Sequence, residues 1–173
     1  MPRNPRPTGD VHTVALAMLA RRAYSRGELE QRLTRKGYAP GEVAAELERL
    51  ERVGLLDDAQ LAHAVRRQEL RRGLGRRGVA AALRRRHVGE EHAAVAIAAV
   101  SPEKEQEALA VALEHAVRRH AASGGLPGAR RKVIRYLLAR GFATSDVLCA
   151  VAARLGEISD EEAVELTDAP DLP

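Results

Sequence analysis

Leu29-Glu30-Gln31-Arg32-Leu33-Thr34-Arg35-Lys36-Gly37-Tyr38 reads as the end of a helix. Leu29 and Leu33 stand one turn apart on one face. A basic residue follows where the helix dipole is negative, glycine supplies the left-handed position beyond the last turn, and an apolar residue folds back. Val43 and Leu47, again one turn apart, lie on the next helix. The same seven positions recur 50 residues on as Val79, Leu83, Arg86, His87, Val88, Ala93 and Ile97. They recur again, 104 residues on, as Val133, Leu137, Arg140, Gly141, Phe142, Val147 and Val151. Six of the seven columns keep their chemical type, and only the glycine column breaks, at His87. Ser25 with Glu28 three residues later forms a capping box for the first of these helices.

A further helix precedes each signature, ending in Leu19-Ala20-Arg21-Arg22, Ala64-Val65-Arg66-Arg67 and Ala116-Val117-Arg118-Arg119. The pattern predicts an all-α protein of three tandem three-helix repeats, over 11–56, 57–101 and 102–156. A disordered arm (1–10) and an acidic tail (157–173) flank them, with one further helical turn conceivable at Asp160–Leu166. Repeats that touch only their neighbours make an elongated, curved array. Ser101-Pro102-Glu103 reads as an N-cap, a first-turn proline and a first-turn acid. Ser123-Gly124-Gly125-Leu126-Pro127-Gly128 reads as a flexible loop inside the third repeat.

Composition agrees with helices. Of 173 residues 45% are hydrophobic, yet the aromatics are only Tyr24, Tyr38, Tyr136 and Phe142, so the core must be aliphatic and rich in alanine. Alanine favours helices and disfavours strands. No run of apolar residues is long enough to span a membrane, and the proline- and arginine-bearing start, Met1–Asp10, lacks the apolar region of a signal peptide. Cys149 is the single cysteine, which suits a reducing compartment and predicts a cytoplasmic protein.

Charge is distributed unevenly. Residues 157–173 carry seven acids and no base, leaving 28 bases against 17 acids and a body of +11 in 1–156. Between Arg66 and Arg86 there are nine arginines and one acid, Glu69. Such a body suits nucleic acid or an acidic protein face. Arginines outnumber lysines 25 to 3, a bias that genomic base composition can produce as readily as phosphate chemistry, so charge alone leaves the partner open.

Catalytic and cofactor signals are weak. Gly73-Leu74-Gly75-Arg76-Arg77-Gly78 matches the dinucleotide fingerprint, but an arginine-rich helix precedes it instead of a buried strand, so a flexible turn between helices is the better reading and no cofactor is expected. Asp57-Asp58 stands before a helix, where one residue caps it and both favour its positive end. His87/His92 and His115/His120 are five apart, a spacing that does not align metal ligands on a helix. Cys149 lies in the apolar row Val147, Leu148, Val151 and reads as buried packing. The chain is therefore expected to bind and not to catalyse.

The arginines are the candidate binding residues. Arg66, Arg67, Arg71 and Arg72 line one side of a helix, Arg76, Arg77, Arg84 and Arg85 the start and end of the next, with Arg130 and Arg131 in the third repeat. Guanidinium groups hold phosphate or carboxylate in forked geometry. Aromatics interleaved for base stacking are missing, which points to backbone contact and away from single-strand reading. One reading of three-helix units with this charge is a DNA-binding helix-turn-helix array acting as a transcription factor. Against it, the Asn, Gln and Ser residues usual for reading base edges are missing among the arginines.

The ordered set of Ala15-Leu16-Ala17-Met18-Leu19-Ala20-Arg21-Arg22, Ser25-Arg26-Gly27-Glu28-Leu29, Leu33-Thr34-Arg35-Lys36-Gly37-Tyr38, Gly54-Leu55-Leu56-Asp57-Asp58 with Leu61-Ala62, and Tyr136-Leu137-Leu138-Ala139-Arg140-Gly141-Phe142 resembles the RecX family of recombination regulators. The resemblance implies three three-helix repeats without catalytic residues. It also implies a protein that binds the groove of the RecA–DNA filament, beside the DNA phosphate backbone; separately from the resemblance, the chain is expected to be a monomer. Such a protein restrains RecA strand exchange, ATP hydrolysis and repressor coprotease activity, in DNA repair and the SOS response. Two departures stand out: Leu61 and Val65 where the family favours aromatics, and Arg86-His87-Val88 where a Lys-Gly-Ile-like ending is expected.

Overall fold

The three recurring signatures all close a helix in the same way. In a computed structural model, which describes residues 9–120 and 125–156, the Gly37 N–H donates to the Thr34 carbonyl (2.9 Å) and the Tyr38 N–H to Leu33 (3.4 Å). His87 and Val88 repeat these bonds onto Arg84 (2.9 Å) and Leu83 (3.2 Å). Gly141 and Phe142 repeat them onto Leu138 (2.9 Å) and Leu137 (3.5 Å). This paired closure needs a left-handed residue at its centre: φ is +94° at Gly37, +49° at His87 and +86° at Gly141. His87 thus holds a glycine conformation with a side chain, at a cost of about 1 kcal/mol.

Nine α-helices and no strand are present among the described residues. They are α1 (Val11–Leu19), α2 (Arg26–Arg35), α3 (Pro40–Arg52), α4 (Asp58–Arg71), α5 (Arg76–Arg85), α6 (Glu90–Ala98), α7 (Pro102–His120), α8 (Gly125–Ala139) and α9 (Thr144–Leu155). The fold is all-α, as expected, with α2, α5 and α8 carrying the signatures. Three local readings need correction. The helix before the second signature runs one turn beyond Arg67, to Arg71. The glycine-rich loop gives way to α8 at Gly125, because a proline in a first helical turn lacks only an N–H that has no intrahelical partner there. Gly78 is not in a loose turn but inside α5. The arm (apart from Gly9 and Asp10), the acidic tail with its helical turn, and Ser123-Gly124 lie outside the described residues.

By internal contacts the chain forms two compact units, and the division falls within α4, α5 and α6. One comprises the described part of Met1–Val65 with Ala82–Ala96, the other Arg66–Ala81 with the described part of Ile97–Pro173. The first is centred on Ala15, Leu29, Leu33, Tyr38, Val43, Leu47, Leu50 and Leu56, all buried. The second is larger and gathers α7 alanines and leucines (Ala108, Leu109, Ala112, Leu113, Ala116) against Val133, Ile134, Leu137, Phe142, Val147 and Val151. The middle row of the repeat buries Val79, Leu83 and Val88, while Ala93 and Ile97 stay half-buried.

Each unit contains the same joint, in which the end of one signature helix docks on the start of the preceding one. In the first unit Ser25 caps α2: its Oγ accepts from the Glu28 N–H (3.0 Å) and donates to the Arg86 carbonyl. The Glu28 carboxylate does not return to the Ser25 backbone as a full capping box would. It instead accepts from both Arg22 nitrogens (2.9 and 3.0 Å) and from Arg86 Nε (3.0 Å), and Arg86 also donates to the Ala23 carbonyl (2.8 Å). In the second unit the Gly75 and Arg77 N–H groups donate to the Arg140 (3.0 Å) and Gly141 (3.2 Å) carbonyls. Arg140 reaches back to the carbonyls of Arg72 and Gly73. Carbonyls at a negative helix end thereby meet N–H groups at a positive one. A Cβ at Gly75 would stand 2.6 Å from the Gly141 oxygen, which explains glycine there without any nucleotide.

Candidate partner-binding surface

Helical spacing on α4 and α7 builds a groove within the second unit. Arg66, Arg67, Leu70 and Arg71 come from the last turns of α4; Lys104, Glu107, Ala108 and Val111, at intervals of three and four, come from one face of α7. With Ala99 they enclose about 480 Å³. The floor is apolar, of Leu70, Ala99, Ala108 and Val111, and the last of these is 52% exposed. The rim is cationic. Arg66 is anchored by a bond to the Ala99 carbonyl (3.1 Å), and Lys104 holds Glu107 at 2.7 Å. The start of α7 is set by Ser101, whose Oγ accepts from the Lys104 N–H (3.3 Å), with Pro102 in the first turn.

The ten arginines singled out from the sequence separate into two groups. Arg67, Arg71, Arg77, Arg84, Arg85 and Arg131 are exposed and make no side-chain ion pair or hydrogen bond among the described residues. Arg67 and Arg71 share the groove rim; Arg77 stands at the start of α5 and Arg131 on α8. Arg84 and Arg85, at the end of α5, belong to the first unit. The other four serve the fold. Arg72 pairs with Glu69 (3.2 Å) and Arg130 donates to the Gly156 carbonyl. Arg66 is anchored as above. Arg76 is the most engaged: its backbone N–H and Nε bond Glu105 (2.9 and 3.2 Å) and a terminal nitrogen bonds the Val100 carbonyl (2.8 Å).

The remaining polar clusters also resolve into structure. Asp57 caps α4 by accepting from the Gln60 N–H (2.8 Å), whereas Asp58 caps the signature helix α2, accepting from the Arg26 N–H (2.8 Å) at its start. His12 Nδ1 lies 2.7 Å from the buried Glu46 carboxylate. His115 stacks on Tyr136 with centroids 5.8 Å apart, and the Arg140 guanidinium sits over the same ring at 4.7 Å. Among the described residues no group of three His, Cys, Asp or Glu side chains is placed to hold a metal. Cys149 is exposed, which corrects the buried reading: the apolar row turns Val147 and Val151 inward and leaves the cysteine on the outer face. No described helix is long and apolar enough to cross a membrane.

The Glu28 cluster was not legible as a cluster, because Arg86 is 58 residues away from Glu28. The basic column of the repeat was its one trace, since Arg86 and Arg140 make equivalent reaches in their two joints. Burial works to raise the Glu28 carboxyl, but hydrogen bonds from Arg22 and then Arg86 outweigh it and hold the group below the ordinary carboxylate range.

Residues 13–50, which span the first signature, match the family model described as RecX, first three-helix domain. The regulatory protein RecX of Halorhodospira halophila is 38% identical over 146 residues, covering 83% of this chain and 87% of that one. The chain belongs to the RecX family. The regulatory protein RecX of Chromohalobacter salexigens is 37% identical over 138 residues, 80% of this chain and 88% of its own. The crystal structure of RecX from Lactobacillus salivarius matches with a TM-score of 0.70 at 17% identity, over 84% of this chain and 94% of that one. A second RecX crystal structure matches at 0.71 and 20% identity, over 84% and 70%. At those identities the two structures speak for the fold, and the RecX sequences speak for the regulatory class.

Proposed function

We propose that this protein is a non-enzymatic regulator that binds along the groove of the RecA–DNA filament and restrains RecA recombinase, ATPase and coprotease activities. The observation that carries the reading is RecX membership over most of the chain. The exposed arginines supply its chemistry. Arg67, Arg71, Arg77, Arg84, Arg85 and Arg131 are spread over three helices, α4, α5 and α8, and forked guanidinium groups without internal partners suit DNA phosphates or RecA carboxylates. A monomer of three units over 11–56, 57–101 and 102–156 would meet several adjacent RecA protomers, and contacts that are weak singly add through effective concentration. The reading places the protein in the cytoplasm with its partner.

The test is RecA's DNA-dependent ATP hydrolysis, together with filament length by electron microscopy, at substoichiometric amounts of this protein. Both should fall. Unchanged hydrolysis and filament length with helical, monomeric protein would refute the proposal. A RecA-independent shift of one specific duplex would favour the helix-turn-helix transcription factor instead.

A further inference from the structure

We propose that the groove between the last turns of α4 and the first half of α7 is the docking site for the chain's own acidic C-terminal segment, residues 157–173. The groove offers two surfaces at once. Its rim carries Arg66, Arg67 and Arg71 beside Lys104 and Glu107, whose charges offset each other at 2.7 Å, so the rim is net cationic. Its floor of Leu70, Ala99, Ala108 and Val111 is apolar. A phosphate backbone would satisfy the rim and leave the floor against a hydrophilic strand. A segment that mixes carboxylates with aliphatic side chains satisfies both.

Residues 157–173 have that composition. Seven acids and no base are interleaved with Ile158, Val164, Leu166 and Leu172. Position agrees with chemistry, within the second unit throughout. The segment follows Gly156, whose carbonyl accepts from Arg130, and Arg154 in the preceding turn bonds Glu114 on α7 (3.4 Å). Glu114 continues the α7 face that lines the groove at Lys104, Glu107 and Val111. Lys104 and Glu114 are about 15 Å apart along the helix at 1.5 Å per residue, whereas the segment can extend about 55 Å at 3.3 Å per residue. A tethered segment is present at an effective concentration of about 1 mM, so weak ion pairs and a few buried aliphatic groups hold it. Docked there, it covers Arg67 and Arg71, and an anionic partner must displace it.

The experiment uses the full chain and needs neither RecA nor DNA, so its failure leaves the filament proposal standing. A nitroxide is attached at Asp168→Cys in a Cys149→Ser background, and amide signals are read by NMR. Signals of residues 66–71 and 104–111 should be lost selectively at about 50 mM salt and recover at about 1 M, where the Debye length falls to about 3 Å. Arg67→Glu with Arg71→Glu should restore them, as should Val111→Asp, an exposed position whose change leaves the core intact. A synthetic peptide of residues 157–173, added to a full chain with Asp160→Asn, Glu161→Gln, Glu162→Gln and Glu165→Gln, should shift the same amides. Attenuation spread over the whole protein, attenuation that survives the charge reversal, or peptide shifts centred elsewhere would overturn the assignment.

Discussion

Replacing Gly78 by alanine sets helix propensity against packing. Gly78 lies in the first turn of α5, and a glycine-to-alanine change inside a helix ordinarily adds about 1 kcal/mol. At this position the new methyl would fall well inside contact distance of the Arg140 carbonyl oxygen and 3.1 Å from the Leu74 side chain. The obstacle is backbone, so the end of α8 must move away from α5 by roughly 1 Å, a repacking that costs about 1–3 kcal/mol. That shift lengthens the Gly75-to-Arg140 and Arg77-to-Gly141 bonds, now 3.0 and 3.2 Å, each worth about 1 kcal/mol net. Gly78→Ala should therefore destabilise the second unit by about 1–3 kcal/mol once propensity is subtracted. Gly41→Ala on α3 is the control: a Cβ there meets nothing within 4 Å, and the change should stabilise by about 0.5 kcal/mol. Urea unfolding followed by circular dichroism, with amide exchange to locate the weakened unit, reads both. If Gly78→Ala stabilises as Gly41→Ala does, the docking of α8 on α5 is not as described.

Three further outcomes follow from the same geometry. Glu28→Gln leaves Arg22 and Arg86 without their shared carboxylate and should cost about 2 kcal/mol at pH 7. Because the folded Glu28 value lies below the unfolded one, its contribution is complete above the unfolded carboxylate range and is lost as pH falls through the folded value; urea midpoints between pH 6 and pH 3 should fall less steeply in Glu28→Gln, and parallel curves would refute the ion-pair account. His87→Gly relieves a left-handed residue with φ of +49° and should stabilise the first unit by about 1 kcal/mol in thermal unfolding; an unchanged or lowered midpoint would refute the strain at this position. Arg67→Ala with Arg71→Ala should weaken filament or DNA binding and lower the log–log salt slope by about 1.5–2, at unchanged helicity; an unaltered slope would remove these two side chains from the interface.

Much of the architecture was legible because its signals are local. A basic residue, a glycine and an apolar residue after a helical leucine pair encode a helix end within ten residues, and three copies in register predicted Leu33, Leu83 and Leu137 as core, all of which are fully buried. The candidate surface was legible only as a set of charges. Arg76 and Arg77 are adjacent in the chain, yet Arg76 is taken up by Glu105 and Val100 while Arg77 is exposed. Neighbours on a helix differ by about 100° in direction, and the direction that meets a partner is set by an element some 29 residues away. Cys149 was misread for a related reason, since an apolar row on a short helix does not say where its edge lies.

The sequence by itself determined helix identity, the repeat and its period, the charge of body and tail, and the RecX resemblance. Each of these is written in spacing along the chain or in composition. Tertiary structure alone decided that Glu28 binds Arg22 and Arg86, and that Asp58 caps α2. It alone placed the glycines at 75 and 78 under the end of α8, and joined Leu70 and Val111 beneath a rim of arginines. Those facts depend on which carbonyl, carboxylate or aliphatic group another helix brings within about 3–4 Å, a distance that one-dimensional spacing does not contain.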